Sequence, residues 1–285
     1  MRLAALADPE PSRCSAAAVA AGAAVHASAS EMIEARGIDA VILATPAASH
    51  VAYARQAAEA GLKCLVEKPP APDLEGALEL AALEPTPWIG FNRRFAPELR
   101  PLRGSVPPAE SLCLELRLHY RRGSWAPFAV NDDVLLDLGP HLIDLAGWLA
   151  RAALSEVRTR HLTTTRARLE LRFAGNRGSA NIDCATDRLH DELIAVQDET
   201  GRRIARTSTG GWTAAIMGRL RPPSEHPLVA SLAAELESFA AAVRGERRSE
   251  LATARDGVAV MAAIEAARRS GAKGGGWEAL ATTGG

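Results

Sequence analysis

The hexapeptide Asp39–Ala44 (DAVILA) constrains the fold more than any other stretch of the chain. An almost unbroken apolar run of this length, closed by Thr45-Pro46, is expected of a strand buried on both faces of a sheet. Lys63–Val66 repeats the pattern and is closed by Glu67-Lys68-Pro69-Pro70. Between the two lies Ser49–Ala60, helical in propensity, capped by Ser49 and stopped at Gly61. The same alternation runs through the first part of the chain. Leu3–Ala7 reads as a strand ended by Asp8-Pro9, Ser12–Ala21 as an Ala-rich helix stopped at Gly22, and Val25-His26 as a short strand. Ser30 is expected to cap a helix from Glu31 to Arg36, and Asp73 one running to Leu83; Trp88–Phe91 is a further strand. Strand and helix alternating through short loops predict an α/β domain, its sheet mostly parallel and covered by helices on both faces.

The pattern changes after Phe91-Asn92, which sets the expected boundary between a first domain, 1–91, and a second, 92–285. Leu112, Leu114, Leu116 and Leu118 alternate with Cys113, Glu115, Arg117 and His119, as in a strand with one wet face. Arg168–Phe173 does the same, and Gly178–Ala185, Glu192–Gln197 and Arg202–Arg206 are weaker strands, the last entered through the turn Asp198–Gly201. These runs predict an antiparallel sheet with one packed face. Helices are expected at about Val134–Ala150, Leu228–Val243 and Ala254–Arg269, and the Gly-rich tail Gly274–Gly285 is expected to be loose.

Composition excludes several classes. Lys+Arg 33 against Asp+Glu 34 gives a net charge of −1, so no overall field attracts nucleic acid or an acidic membrane surface. No apolar run approaches the roughly 20 residues of a membrane helix. Cys14, Cys64, Cys113 and Cys184 form no CxxC pair, so neither a zinc site nor a disulfide scaffold is expected; four buried thiols in a reducing compartment are. Arg2, Ala16–Val25 and Ala27-Ser28-Ala29 imitate a secretory signal, but Asp8, Pro9, Glu10, Pro11 and Arg13 interrupt its apolar core. The expected location is the cytoplasm.

Three constellations carry potential chemistry. Thr45-Pro46-Ala47-Ala48-Ser49-His50 follows a buried strand, and ligands of open parallel sheets bind at the carboxyl ends of strands. Taken alone it is equally a turn with a helix cap. Glu67-Lys68-Pro69 ends the next strand; Lys68 is either a solvated surface lysine or an ammonium facing a crevice, where it would stabilise a developing alkoxide. In Asp137-Leu138-Gly139-Pro140-His141-Leu142-Ile143-Asp144, helical spacing places Asp137, His141 and Asp144 on one face amid apolar bulk. That group is either a structural Asp–His pair or a histidine oriented by a carboxylate for general acid–base work. Pro140 either starts a new helix or kinks one.

Together the three resemble the glucose–fructose oxidoreductase / inositol dehydrogenase / MocA family, and Asn92-Arg93-Arg94-Phe95-Ala96-Pro97 is similar to the segment that crosses between that family's domains. The resemblance covers about Leu3 to Arg269. It implies a Rossmann-like dinucleotide-binding domain followed by an α+β domain with an open, mostly antiparallel sheet. It implies an NAD(P)-dependent oxidoreductase of sugars, cyclitols or their derivatives, forming a homo-oligomer through the second sheet. Lys68, Asp137 and His141 match the family's catalytic group: His141 exchanging the hydroxyl proton, Lys68 at the reacting oxygen, Asp137 orienting both. Thr45, Pro46, His50 and Glu67 would line the nicotinamide side. Asn92, Arg93 and Arg94 would sit where cofactor and substrate meet, with Arg94 toward the cofactor and Asp144 toward the substrate. Asp8 matches the acidic residue that bonds the adenosine ribose, and Arg13 is placed to reach a 2′-phosphate, leaving NAD and NADP both open.

The chain departs from the family pattern in two places. The strand and Gly-x-Gly-x-x-Gly turn that open the family's first domain have no counterpart, so the domain is expected to be N-terminally incomplete, starting at strand two. Asn131-Asp132-Asp133 stands where the family often has glycines, at the expected rim of the substrate pocket. The missing turn motivates a different class of function, a non-catalytic sugar-binding or regulatory protein on the same fold. Redox-assisted hydrolysis or elimination around a tightly held NAD is a third.

Overall fold

The computed structural model describes residues 1–107, 111–122, 132–210 and 227–281; Asn131 lies outside them. The chain divides into two compact units, Met1–Gly90 with Glu235–Arg255, and Phe91–Ala234 with Asp256–Gly285.

The first unit runs β1 (Ala5–Ala7), α1 (Ser15–Ala21), β2 (Ala24–His26), α2 (Ala29–Glu34), β3 (Ala40–Leu43), α3 (Ala47–Glu59), β4 (Lys63–Glu67), α4 (Leu74–Ala81) and β5 (Trp88–Gly90). β3, β4 and β5 are parallel neighbours, and β1 pairs with β2 in a separate parallel pair. β4 has a strand on each side, and Cys64, Leu65 and Val66 are all buried. β3 is the edge strand, and there the sequence expectation fails. Val41 and Leu43 are buried but Ile42, on the other face, is 39% exposed.

Local starts also differ from expectation. Ser28, not Ser30, caps α2: its hydroxyl accepts the Glu31 amide at 3.1 Å while Glu31 reaches back to the Ala27 amide at 2.9 Å. Ser28 and Glu31 have the spacing of a capping box. Ser30 instead donates to Gln56 at 2.7 Å. α3 begins at Ala47, directly after Pro46, so Ser49 lies inside the helix rather than capping it. Asp73 does cap α4, accepting the Gly76 amide at 2.9 Å.

The second unit begins with a 3₁₀ turn, Asn92–Phe95, and continues through α5 (Leu99–Ser105), β6 (Leu112–Arg121), α6 (Val134–Asp137), α7 (Gly139–Ala150), β7 (Leu154–Leu162), β8 (Arg166–Phe173), β9 (Gly178–Ala185), β10 (Asp187–Asp198) and β11 (Arg203–Gly210). The chain closes with α8 (Pro227–Val243), β12 (Ala252–Thr253), α9 (Ala254–Ala272) and β13 (Glu278–Ala279). A domain boundary at residue 91 alone overlooks the return of Glu235–Arg255 to the first unit. That stretch belongs there because β12 pairs antiparallel with β5, and Phe239 packs edge-on against Trp88 with ring centroids 5.8 Å apart.

The second sheet has the order β11-β10-β6-β9-β8-β7-β13, antiparallel except for the parallel pair β6–β9. Its alternation is the one the sequence predicts. Leu112, Leu114, Leu116, Leu118, Leu169, Leu171 and Ile182 are buried on one face, where α6 and α7 pack. The opposite face carries cross-strand ion pairs, among them Arg158–Glu170 at 2.6 Å and Arg172–Glu156 at 2.9 Å. Exposed pairs of this kind contribute about 0–1 kcal/mol each, so the packed face holds the sheet together. Cys113 lies in that polar alternation and is exposed, so the expectation of four buried thiols holds only for Cys14, Cys64 and Cys184.

The tail is ordered further than its composition suggests. Gly275 (φ +86°) turns the chain back, its amide donating to the Ser270 carbonyl at 2.8 Å. β13 then adds an antiparallel edge to β7, and Trp277 lies between the guanidinium groups of Arg158 and Arg172, 4.7 and 3.9 Å from the ring centroid. No described helix is long and apolar enough to cross a membrane.

Candidate functional site

In the first unit, β3 and β4 pair in register from Ala40↔Lys63 to Leu43↔Val66, so the two turns after them leave the sheet side by side at its carboxyl edge. Thr45-Pro46 and Glu67-Lys68 occupy these turns, with Thr45, Glu67 and Lys68 half-buried and Pro46 exposed. Ser49 Oγ lies 2.9 Å from Thr45 Oγ1 and 2.8 Å from the Pro46 carbonyl, fixing the first turn. The Lys68–Pro69 bond is cis.

His50 joins the two turns. Its Nε2 lies 2.7 Å from the Thr45 carbonyl, and its Nδ1 lies 3.1 and 3.2 Å from the carbonyls of Pro69 and Pro70. The ring is 0% exposed. Burial lowers its pKa despite the three carbonyls, which favour the charged form. A ring with no exposed surface cannot line a cofactor cleft, as the sequence suggested for it; it ties the strand-end turns together.

Glu67 packs against the β5 backbone. A Cβ on Gly90 would come within 3.2 Å of the Glu67 carboxyl, so glycine is what gives that side chain its place. Burial raises the Glu67 pKa, opposed by the Lys68 amide (3.2 Å) and the Lys68 charge. Asp8 follows β1 and accepts the Glu10 amide on Oδ1 at 2.7 Å. Arg13 is exposed and ion-paired to Glu10 at 2.9 Å. A cavity of about 710 Å³, lined by Ser30, Ile33, Arg36, Gln56 and Leu62, opens at the amino ends of β3 and β4. It is at the wrong end of the strands for the ligands that open parallel sheets bind.

In the second unit the 3₁₀ turn Asn92–Phe95 is locked by its own polar side chains. Asn92 donates to Ser231 Oγ at 3.3 Å, and Arg93 pairs with the buried Glu192. Arg94 forms a bidentate ion pair with Asp144 on α7, at 2.9 and 2.5 Å, and meets Asp256 at 3.4 Å. Arg94 and Asp144 are each 5% exposed, and burial pushes Asp144 up to about 6, although Arg94 pulls it down. These two charges are spent on each other. The sequence reading aimed Arg94 at the cofactor and Asp144 at the substrate; the structure makes them the internal pin between the turn and α7.

Asp137 and His141 are separated by a break, not carried on one continuous helix. α6 ends at Asp137, Leu138 (φ −103°, ψ −30°) interrupts, and Pro140 sits in the first turn of α7. Pro140 thus starts a new helix, where its missing N–H costs nothing. Asp137 is 6% exposed; its Oδ2 accepts from the Tyr120 hydroxyl and from Arg122 Nη2 at 3.0 Å. His141 is half-buried at the start of α7. Tyr120 and Arg122 were not singled out from sequence. Tyr120 stands near the end of β6 and Arg122 directly follows the strand, and no local pattern says that both reach Asp137. Among the described residues no cluster of His, Cys, Asp and Glu could hold a metal ion.

Comparison with known proteins agrees with this architecture. The model of the Gfo/Idh/MocA oxidoreductase family, described as an NAD-binding Rossmann fold, matches residues 1–86. Inositol 2-dehydrogenase 4 of Saccharopolyspora erythraea is 34% identical over 171 residues, 57% of this chain and 50% of that protein. The rhizopine catabolism protein MocA of Rhizobium meliloti is 29% identical over 261 residues, 86% of this chain and 80% of that protein. The chain spans about half the length of the inositol 2-dehydrogenases it matches. Among solved structures, the myo-inositol dehydrogenase from Lactobacillus casei in complex with NAD(H) and myo-inositol superposes with a TM-score of 0.78, covering 100% of this chain and 90% of that one at 18% identity. At that identity the likeness speaks for the fold alone; the sequence matches make residues 1–86 similar to the Gfo/Idh/MocA oxidoreductase family and the longer stretch similar to inositol 2-dehydrogenases and MocA.

Proposed function

We propose that the protein is an NAD-dependent dehydrogenase that oxidises a secondary hydroxyl of a cyclitol or sugar derivative, with Lys68, Asp137 and His141 as its catalytic group. The observation that carries the reading is the joint presence of Glu67-Lys68-Pro69 at the carboxyl end of β4 and of Asp137 and His141 about the α6–α7 break. A scaffold that only bound sugar would have no chemical need of all three.

The residues fit NAD at two ends. Glu67 and Lys68, beside Thr45-Pro46, form the strand-end turns that would receive the nicotinamide. Asp8 beyond β1 would accept the ribose 2′-hydroxyl, and its carboxylate would repel a 2′-phosphate, while Arg13 already has Glu10 as partner. This favours NAD over NADP. When bound, NAD supplies an acceptor for the hydride leaving the carbinol carbon. His141 takes the hydroxyl proton, Lys68 stabilises the developing alkoxide, and Asp137 orients lysine and substrate.

Calorimetric titration of the purified chain should show NADH binding, with NADPH weaker, and NAD⁺ with myo-inositol or scyllo-inositol should yield NADH. A chain that binds inositol but neither dinucleotide would overturn the reading in favour of a sugar sensor. We also propose that the ion-paired face of the second sheet packs against a second copy; a monomer by sedimentation at working concentration would refute that.

A further inference from the structure

We infer that Tyr120 and Arg122 are positioning residues that hold the Asp137 carboxylate in its working orientation. The inference rests on the reading of Asp137 as catalytic and adds two residues that neither the family motifs nor the sequence pattern point to.

The geometry is convergent. Tyr120 is the last residue but one of β6, and Arg122 directly follows the strand, anchored by its amide donating to the Thr186 carbonyl at 2.9 Å. Their side chains meet at one atom, Asp137 Oδ2. Arg122 Nη2 also donates to the Asp132 carbonyl at 2.7 Å, so the guanidinium ties the residue that precedes the α6 cap to the last residue of α6. Asp133 completes the frame as N-cap of α6, accepting the Leu136 amide at 3.0 Å, and its other oxygen receives Arg268 at 2.9 Å. The short helix that carries Asp137 is therefore held at both ends.

Two donors on one carboxylate oxygen fix the plane of the group and draw charge away from Oδ2. A carboxylate held this way is an orienting charge, and the proton acceptor's part falls to His141. The phenol reports the same contact: burial, and then Asp137, push Tyr120 up to about 12.

The test uses Tyr120→Phe, Arg122→Gln, Arg122→Lys and Asp137→Asn in the full chain, assayed with NAD⁺ and myo-inositol. Tyr120→Phe should lower kcat roughly tenfold with little change in KM, the scale of one charge-assisted hydrogen bond. Arg122→Lys should recover part of what Arg122→Gln loses. In the Asp137→Asn background Tyr120→Phe should cost less than about twofold, because both act through one carboxylate. A second readout needs no turnover. The chain has Tyr 2, so in a Tyr53→Phe background the phenolate absorbance belongs to Tyr120 alone. Adding Asp137→Asn should bring its titration down from about 12 toward the ordinary value of about 10, with circular dichroism monitoring the fold. Identical phenolate curves with and without Asp137, or wild-type kcat in both Tyr120→Phe and Arg122→Gln while Asp137→Asn is slow, would overturn the positioning role. Wild-type turnover by Asp137→Asn would instead overturn the catalytic reading beneath it.

Discussion

Lys68→Ala should lower kcat roughly 10²–10⁴-fold, and His141→Ala should do the same, the range associated with losing an acid–base or oxyanion-stabilising group. The magnitude comes from the work each side chain is asked to do. Lys68 follows β4 at the carboxyl edge of a parallel sheet, half-buried, next to a half-buried Glu67 whose pKa is raised by burial. An ammonium in such a place meets a developing alkoxide with less competition from water than one in bulk solvent. Its loss is felt in the transition state more than in the ground state, so kcat should fall while KM changes little. His141→Ala removes the proposed proton acceptor, so its residual rate should rise with external imidazole. Steady-state kinetics with NAD⁺ and inositol, and an NADH titration showing that both variants still bind cofactor, make the check. Wild-type rates in both variants would show that the catalytic group lies elsewhere.

Much of the fold was legible in the sequence, for identifiable reasons. Leu112 to Leu118 alternates because one face of β6 is dry, and period two survives any detail of the partner strands. The β4 run is uniformly apolar because that strand is central; the β3 run reads the same but lies at an edge, and edge position is not written locally. β7 carries no comparable signal. Its ladder to β8 is interrupted by irregularities between Leu154 and Glu156 and between Thr159 and His161, so its side chains do not keep a simple alternation. The tail reads as loose because Gly274-Gly275-Gly276 looks like a linker, while Trp277, held between two guanidinium groups, anchors β13 to the sheet. In the candidate site, the residue types were legible and the partners were not. Arg94 and Asp144 lie 50 positions apart, and no local pattern says that they neutralise each other. His50 shows the same limit. A histidine after a strand-end turn looks like a ligand until its two nitrogens are found against the carbonyls of that turn and the next.

The Arg94–Asp144 pair makes the largest stability prediction. Arg94→Leu should destabilise the protein by about 3–5 kcal/mol, because it leaves Asp144 buried and uncompensated. The side chains are 6% and 2% exposed, so water cannot take over the lost partner. Arg94→Lys should recover little, since one ammonium cannot reproduce the bidentate contact. The double variant Arg94→Leu/Asp144→Leu should lose much less than Arg94→Leu alone, because the larger cost is the orphaned charge rather than the missing attraction. The pH dependence has a definite sign. Asp144 is raised from 3.8 to about 6 in the folded chain, so between those values the folded state holds a proton that the unfolded state has released. Its contribution to stability is greatest below the unfolded value and declines as pH rises through about 6. Without Arg94, which pulls the carboxyl down, the folded value climbs and the window extends upward. The deficit of Arg94→Leu should therefore shrink in acid and widen above about pH 6. Urea denaturation of the variant and the wild type on both sides of that pH measures it. Equal midpoints at neutral pH would mean that the pin between the 3₁₀ turn and α7 carries no stability, and that α7 is held in place by its apolar face alone.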